Sequence, residues 1–156
     1  LAKLHHLERE QFLPIPLRDA WGFFSSAANL ARITPKEMGF VIRPPHPDGP
    51  MYPGQLITYT IRPVLGIPLK WVTVIAEVDE PLCFVDTQLK GHYAIWRHRH
   101  TFQAVPGGTL MRDHVEYALP LGPLGEVAHM AFVNKQLNGI FDFRQRTLAQ
   151  LFPKEP

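Results

Sequence analysis

Cysteine is nearly missing: Cys83 stands alone in 156 residues. An internal disulfide is therefore excluded, and a reducing compartment, by default the cytoplasm, is expected. No apolar run approaches the roughly 20 residues that a spanning helix needs, so stable membrane insertion is not expected. The opening Leu1-Ala2-Lys3-Leu4-His5-His6 lacks the charged start, apolar centre and small-residue cleavage site of a secretory leader. Charge of one sign is scarce as well, with a net +2. The basic-looking run Arg97-His98-Arg99-His100 does not change this, because an extended strand sends its arginines to one face and its histidines to the other. That pattern reads as a solvated strand face, and nucleic acid is not expected as a partner. A Gly-rich phosphate loop, a paired Cys-x-x-Cys and a Gly-x-Ser-x-Gly elbow are all absent, so no cofactor is expected. Cys83 has no basic neighbour in sequence and reads as an inert thiol at a strand start.

The chain holds 46% hydrophobic and 19% charged residues, the composition of an ordinary globular chain. Its length suits one domain, residues 1–156, with a core of its own. Leu7 to Phe12 alternates as a first strand ended by Pro14 and Pro16, and Pro16 suits a helix start. Leu17, Trp21 and Phe24 follow at helical spacing, which makes Trp21 and Phe24 core anchors. Ser25-Ser26 break this helix and cap a second, Ala27 to Ile33, which Thr34-Pro35 stops. Strands are predicted at Phe40–Arg43, Gln55–Arg62, Leu69–Val78, Phe84–Lys90, Tyr93–Ala104 and Thr109–Leu119. The turn signal Pro106-Gly107-Gly108 joins the last two, and short connections imply an antiparallel meander. Val127, Ala131, Leu137, Phe141, Leu148 and Leu151 then trace a long amphipathic helix, with gaps at Asn134 and Arg144. Gly139 within it costs about 1 kcal/mol relative to alanine and suggests a close approach or a bend.

This order predicts an α+β fold, a curved antiparallel sheet of about seven strands wrapped around a long C-terminal helix, with two short helices after the first strand. A sheet wrapped around one helix cannot touch it across its full width, and the remaining space is a cavity. Strand parity says what lines it. Arg97, Arg99, Thr101, Gln103, Arg112, His114 and Glu116 form the wet face of the last two strands. The aromatic-bearing faces then point inward and carry Asp86, Gln88, His98, His100 and Asp113 with them. Buried acids and imidazoles are costly unless paired. Three readings fit this patch: a self-satisfied hydrogen-bond network, a contact for the polar end of a ligand, and a metal site built on His98-x-His100 with Asp113. In Leu69–Val78, parity leaves two arrangements open. Either Trp71, Thr73, Ile75 and Glu77 face inward and a ribbon of Val72, Val74, Ala76 and Val78 is exposed, inviting a homodimer or partner, or a bulge shifts the register mid-strand.

Several stretches together are similar to one superfamily across essentially the whole chain. They are Trp21-Gly22-Phe23-Phe24-Ser25 with Asn29-Leu30 and Ile33-Thr34-Pro35, Gly66-Ile67-Pro68-Leu69-Lys70-Trp71, and Phe84-Val85-Asp86-Thr87-Gln88 with Gly91-His92-Tyr93. Trp96-Arg97-His98-Arg99-His100-Thr101-Phe102 and Gly108-Thr109-Leu110-Met111-Arg112-Asp113, with Tyr117 and Pro120-Leu121-Gly122, complete the set. The combination resembles the SRPBCC superfamily, also called START-like or helix-grip, and within it the small bacterial ligand-binding proteins. The resemblance implies a seven-stranded sheet gripping the last helix with a pocket between. Lipid-transfer, plant-hormone and coenzyme Q-binding proteins belong to that superfamily, as do polyketide aromatase/cyclases. Its iron-binding members use a helix-borne histidine arrangement that is not found here, so no metal ligand is assigned.

The function expected first is binding, transport or sequestration of a hydrophobic or amphipathic small molecule. The binding residues would be Tyr59, Trp71, Thr73, Asp86, Gln88, Trp96, His98, His100, Asp113, Tyr117 and Phe141. The alternative is a cyclase/dehydratase-type enzyme in the same cavity. There His98 or His100 would act as general acid or base, Asp113 or Asp86 would fix the tautomer, and Tyr117 would polarise a carbonyl.

Overall fold

In the computed structural model, which describes residues 2–156, β1 (His5–Leu13) alternates half-buried and exposed side chains along its length. Pro16 precedes α1 (Leu17–Phe24), which buries Ala20, Trp21 and Phe24. Trp21 meets Phe84 and Phe102 edge-on at 5.9 and 6.0 Å, the geometry that ring quadrupoles favour. It is the core anchor its spacing predicts. The short α2 (Ala27–Arg32) follows. Beyond it the Leu30 carbonyl accepts both the Thr34 hydroxyl, at 2.7 Å, and the Ile33 N–H, at 3.2 Å, which closes the helix end.

Six more strands complete the sheet: β2 (Val41–Ile42), β3 (Leu56–Ile61), β4 (Leu69–Asp79), β5 (Cys83–Lys90), β6 (Ile95–Val105) and β7 (Gly108–Ala118). The order across the seven-stranded sheet is β1-β7-β6-β5-β4-β3-β2, and every neighbouring pair is antiparallel. Gly107, at φ +83°, makes the β6–β7 turn in a conformation that side chains disfavour.

Both arrangements left open for β4 are realised in succession. Trp71, Thr73 and Ile75 are buried. A register shift between Ile75 and Glu77 then reverses the parity. Glu77 thus reaches Arg97 and Arg99 on the outer face at 3.4 and 3.1 Å, while Val78 packs against the core. The expected valine ribbon is shortened to Val72 and Val74, both half-buried.

The closing helix starts earlier than its periodicity suggests. It runs from α3 (Gly122–Ala128) through a wider π turn (His129–Val133) into α4 (Asn134–Leu151). The π turn inserts one residue into the helical repeat, which is why the apolar period stumbles at Asn134. It also overturns the inward placement of Val127 and Ala131, which are exposed. Gly139 marks no close approach either, since a Cβ there would meet nothing within 4 Å. Arg144 is not a gap in the apolar face. Leu137, Phe141, Arg144 and Leu148 are the buried residues of α4, spaced four, three and four apart on one face.

The interior has two apolar clusters. Trp21, Phe24, Phe84, Phe102, Met111 and Leu148 belong to one, and Trp71, Tyr93, Val115, Tyr117, Leu137 and Phe141 to the other. Along each participating strand the polar residues fall between them: Asp86 follows Phe84 on β5, His98 and His100 separate Trp96 from Phe102 on β6, and Asp113 separates Met111 from Val115 on β7. Arg144 stands between Phe141 and Leu148 on α4. A polar belt thus crosses an apolar interior at one level.

Candidate functional site

Period-2 alternation places His98 and His100 side by side on the inner face of β6, with their rings stacked at 3.6 Å. Register sets Asp86 of β5 opposite His98, and Asp113 of β7 opposite His100. The short hydrogen bonds run diagonally. His98 Nε2 donates to Asp113 Oδ1 at 2.7 Å, and His100 Nε2 to Asp86 Oδ2 at 2.7 Å. Diagonal neighbours on adjacent strands lie within reach of side chains this long. Arg144 Nη1 enters from the helix and donates to Asp113 Oδ1 at 3.3 Å, and the guanidinium carbon lies 5.4 Å from the Phe141 ring centroid. Phe84 stacks on His100 at 4.0 Å.

The charges sort themselves by burial and pairing. Burial alone would raise the Asp113 carboxyl, but Arg144 and the two imidazoles outweigh it and hold it well below the usual range. Burial likewise works against the Asp86 carboxylate, and His100 with His98 more than compensates. Burial, reinforced by the neighbouring His100, pushes His98 down to about 4 against the pull of Asp113. The same burial acts on His100, where Asp113 and Asp86 together win and raise it. The two carboxylates thus face the Arg144 guanidinium and an imidazole, His100, whose charged form they favour, while His98 is held neutral. Nδ1 of His98 stands 3.9 Å from Asp86 Oδ2, outside hydrogen-bond range. Nδ1 of His100 is buried without a hydrogen-bond partner, with Asp113 Oδ1 at 3.4 Å.

Next to this cluster lies an internal cavity of about 180 Å³ between the sheet, α2 and α4. Tyr59, Trp71, Thr73, Asp86, Trp96, His98, His100 and Phe141 line it, as their parity predicts. Trp71 is fixed by donating from Nε1 to Thr73 Oγ1 at 3.0 Å and by stacking with Tyr59 at 5.7 Å. Asp113 stands behind the imidazoles, outside the lining. Gln88 has another task. Its amide donates to the Tyr93 carbonyl and accepts from the Tyr93 N–H, at 2.8 and 3.2 Å, which ties the β5–β6 turn. A Cβ at Gly91 would collide with that amide. Tyr117 also turns away, sharing a 2.8 Å hydrogen bond with His129 Nε2, so the carbonyl-polarising role has no geometry to support it.

Arg144, His92 and Gln136 line the cavity as well, with Met38 from the short 3-10 turn Lys36–Met38 and Phe40 and Met51 from the irregular stretches around β2. None of these was expected. Arg144 was legible in principle, since it lies seven residues after Leu137, two helical turns along the apolar face. The loop residues carry no periodic signal. Cys83 also differs from expectation, because Arg99 Nη1 reaches its sulfur at 3.2 Å across the strand pair, a neighbour hidden from the linear sequence.

Asp86, His98 and His100 each offer one atom within a 4.8 Å cluster that could hold an ion, as do His5, Glu126 and His129. In the first set Nε2 of His100 is already engaged by Asp86 and Nε2 of His98 by Asp113. No helix of the described residues is long and apolar enough to cross a membrane.

No family model matches the chain, and no curated protein matches it. Solved structures do. Truncated norcoclaurine synthase from Thalictrum flavum shares 12% identity over 99% of this chain and 97% of that one, with a TM-score of 0.66. A protein from Thermus thermophilus is 15% identical over 94% of this chain and 95% of its own, with a TM-score of 0.69. The protein Ara h 8.0201 is 21% identical over 95% and 99% of the two chains, with a TM-score of 0.61. Identities this low speak to architecture alone, and the architecture is plain: the chain has the helix-grip fold of these proteins, a seven-stranded antiparallel sheet closed around a C-terminal helix.

Proposed function

We propose that the chain binds a hydrophobic or amphipathic small molecule in the cavity, to carry it or to sequester it. The observation that carries this reading is an internal hollow of about 180 Å³ walled by aromatic and aliphatic side chains and bordered on one side by the polar belt. A solid core is the cheaper arrangement, because each unfilled volume forfeits packing. A ligand burying on the order of 200 Å² of apolar surface would contribute about 5 kcal/mol before the costs of association. Native mass spectrometry of protein purified without organic solvent tests the reading. A bound species of small-molecule mass, released on unfolding, is the expected result. A bare chain that also fails to take up an apolar fluorophore would count decisively against it.

One observation favours a second reading, acid–base catalysis of the cyclase/dehydratase kind in the same hollow. Asp113 holds Nε2–H of His98 at 2.7 Å and so fixes the tautomer, leaving Nδ1 beyond reach of Asp86 and able to take a proton. One fold neighbour bears the name of a synthase, and fold does not decide between carrier and enzyme. Turnover of polyketide-like substrates that is abolished in His98→Asn, with ligand affinity retained, would establish catalysis. Binding without turnover across such a panel would leave the carrier.

A further inference from the structure

Arg144 is the one Lys or Arg among the residues lining the cavity, and it is buried to 7% exposure. A guanidinium carries five N–H donors in a planar fork. Among the described residues only Asp113 Oδ1 takes one of them, from Nη1 at 3.3 Å, and Nε and Nη2 have no protein acceptor. One oxygen of each nearby carboxylate is engaged, Oδ1 of Asp113 by His98 and Arg144 and Oδ2 of Asp86 by His100. The polar border of the hollow therefore presents the unpaired edge of a guanidinium beside its aromatic walls. Its walls are largely aromatic: Trp71 lies between Tyr59, stacked at 5.7 Å, and Trp96, edge-on at 5.3 Å.

We propose that the occupant is a flat aromatic acid whose carboxylate meets the free edge of Arg144, with its rings among Tyr59, Trp71 and Trp96. This rests on the reading of the hollow as a ligand cavity and adds the chemical class of the ligand. A carboxylate presents two coplanar acceptors, which match the guanidinium fork. The rings present faces and edges that suit an aromatic wall. A purely apolar molecule would leave the guanidinium donors unpaired.

The test is calorimetric titration of the full chain with naphthoate, naphthamide and methylnaphthalene, which share a ring system and differ in the polar group. Naphthoate is expected to bind about tenfold or more tightly than methylnaphthalene, the worth of one charge-assisted hydrogen bond, with naphthamide between. In Arg144→Met that preference for naphthoate over methylnaphthalene is expected to vanish. Equal affinities for all three in the wild-type chain, or a preference that survives Arg144→Met, would overturn the carboxylate assignment and leave the cavity reading intact. Failure of all three to bind would remove both. Should Arg144→Met not fold, the wild-type series still decides. The nitrogen–proton resonance of Arg144 Nε then serves as the local probe, expected to shift with naphthoate and to stay put with methylnaphthalene.

Discussion

Replacing Arg144 by methionine probes the charge balance on which the site depends. Arg144 is the cation that does most to hold the buried Asp113 carboxyl down. At 3.3 Å from Asp113 Oδ1, a unit charge at an effective dielectric of about 20 is worth about 5 kcal/mol. Experience with buried pairs puts the loss of one partner at roughly 3–5 kcal/mol. Methionine keeps the apolar stem packed, so the loss is electrostatic. The cluster recovers by taking up a proton, on His98 or on the Asp113 carboxyl that Arg144 had held down. That imidazole is held down at about 4 by burial and the neighbouring His100, and removing Arg144 also removes a cation that opposes its protonation. The destabilisation is therefore expected to be about 3 kcal/mol in mildly alkaline buffer and clearly smaller in mildly acidic buffer, where the proton is available. Urea unfolding at the two pH values, with NMR titration of the His98 ring, measures both parts. A loss below about 0.5 kcal/mol at either pH, or a larger loss on the acidic side, would refute the assignment of Arg144 as the balancing charge.

Stability of the wild-type chain follows from the same pair. His98, depressed to about 4, stays neutral while the unfolded chain protonates near 6.5, so stability is lost as pH falls from about 6.5 towards 4, by about 3 kcal/mol at most. His100 is raised; its contribution is complete below about 6.5 and fades as pH rises through its folded value, so the pair places a stability maximum near 6.5. Denaturant titrations across that range should trace the maximum, and a curve flat from pH 5 to 8 would contradict it. Gly139→Ala is expected to stabilise by about 0.5–1 kcal/mol, because the position is helical and a Cβ meets open space; a lower melting temperature would show a hidden contact. Leu148→Ala removes a fully buried side chain from the Trp21 cluster and should cost about 2–5 kcal/mol by chemical denaturation, leaving ligand affinity within about threefold.

The architecture was legible because period and punctuation are local. Alternation in β6 and β7, the turn at Gly107 and the proline before α1 each report on their own few residues. Inward placement of Asp86, His98, His100 and Asp113 followed from parity alone. Hydrogen bonding was less legible. Parity brings Gln88 to the inner face, but the partner that draws its amide to the Tyr93 backbone is set by the turn geometry. Arg144 was passed over because a cation on an apolar helical face reads as an interruption until an acid is known to lie opposite. The π turn has no composition signal, so periods counted across it misplace Val127 and Ala131. The short turn and irregular stretches that supply Met38, Phe40 and Met51 to the cavity have no period to read.

Titration of isotope-labelled protein with methylnaphthalene, followed by NMR, tests the presence of a fillable hollow most directly. Saturable shifts are expected at the indole N–H of Trp71, at the His98 and His100 rings, and along the Leu137–Phe141 face of α4. Shifts that never saturate, or that map to the outer strand face around Arg97 and Arg112, would mean that the space beneath the helix admits no guest.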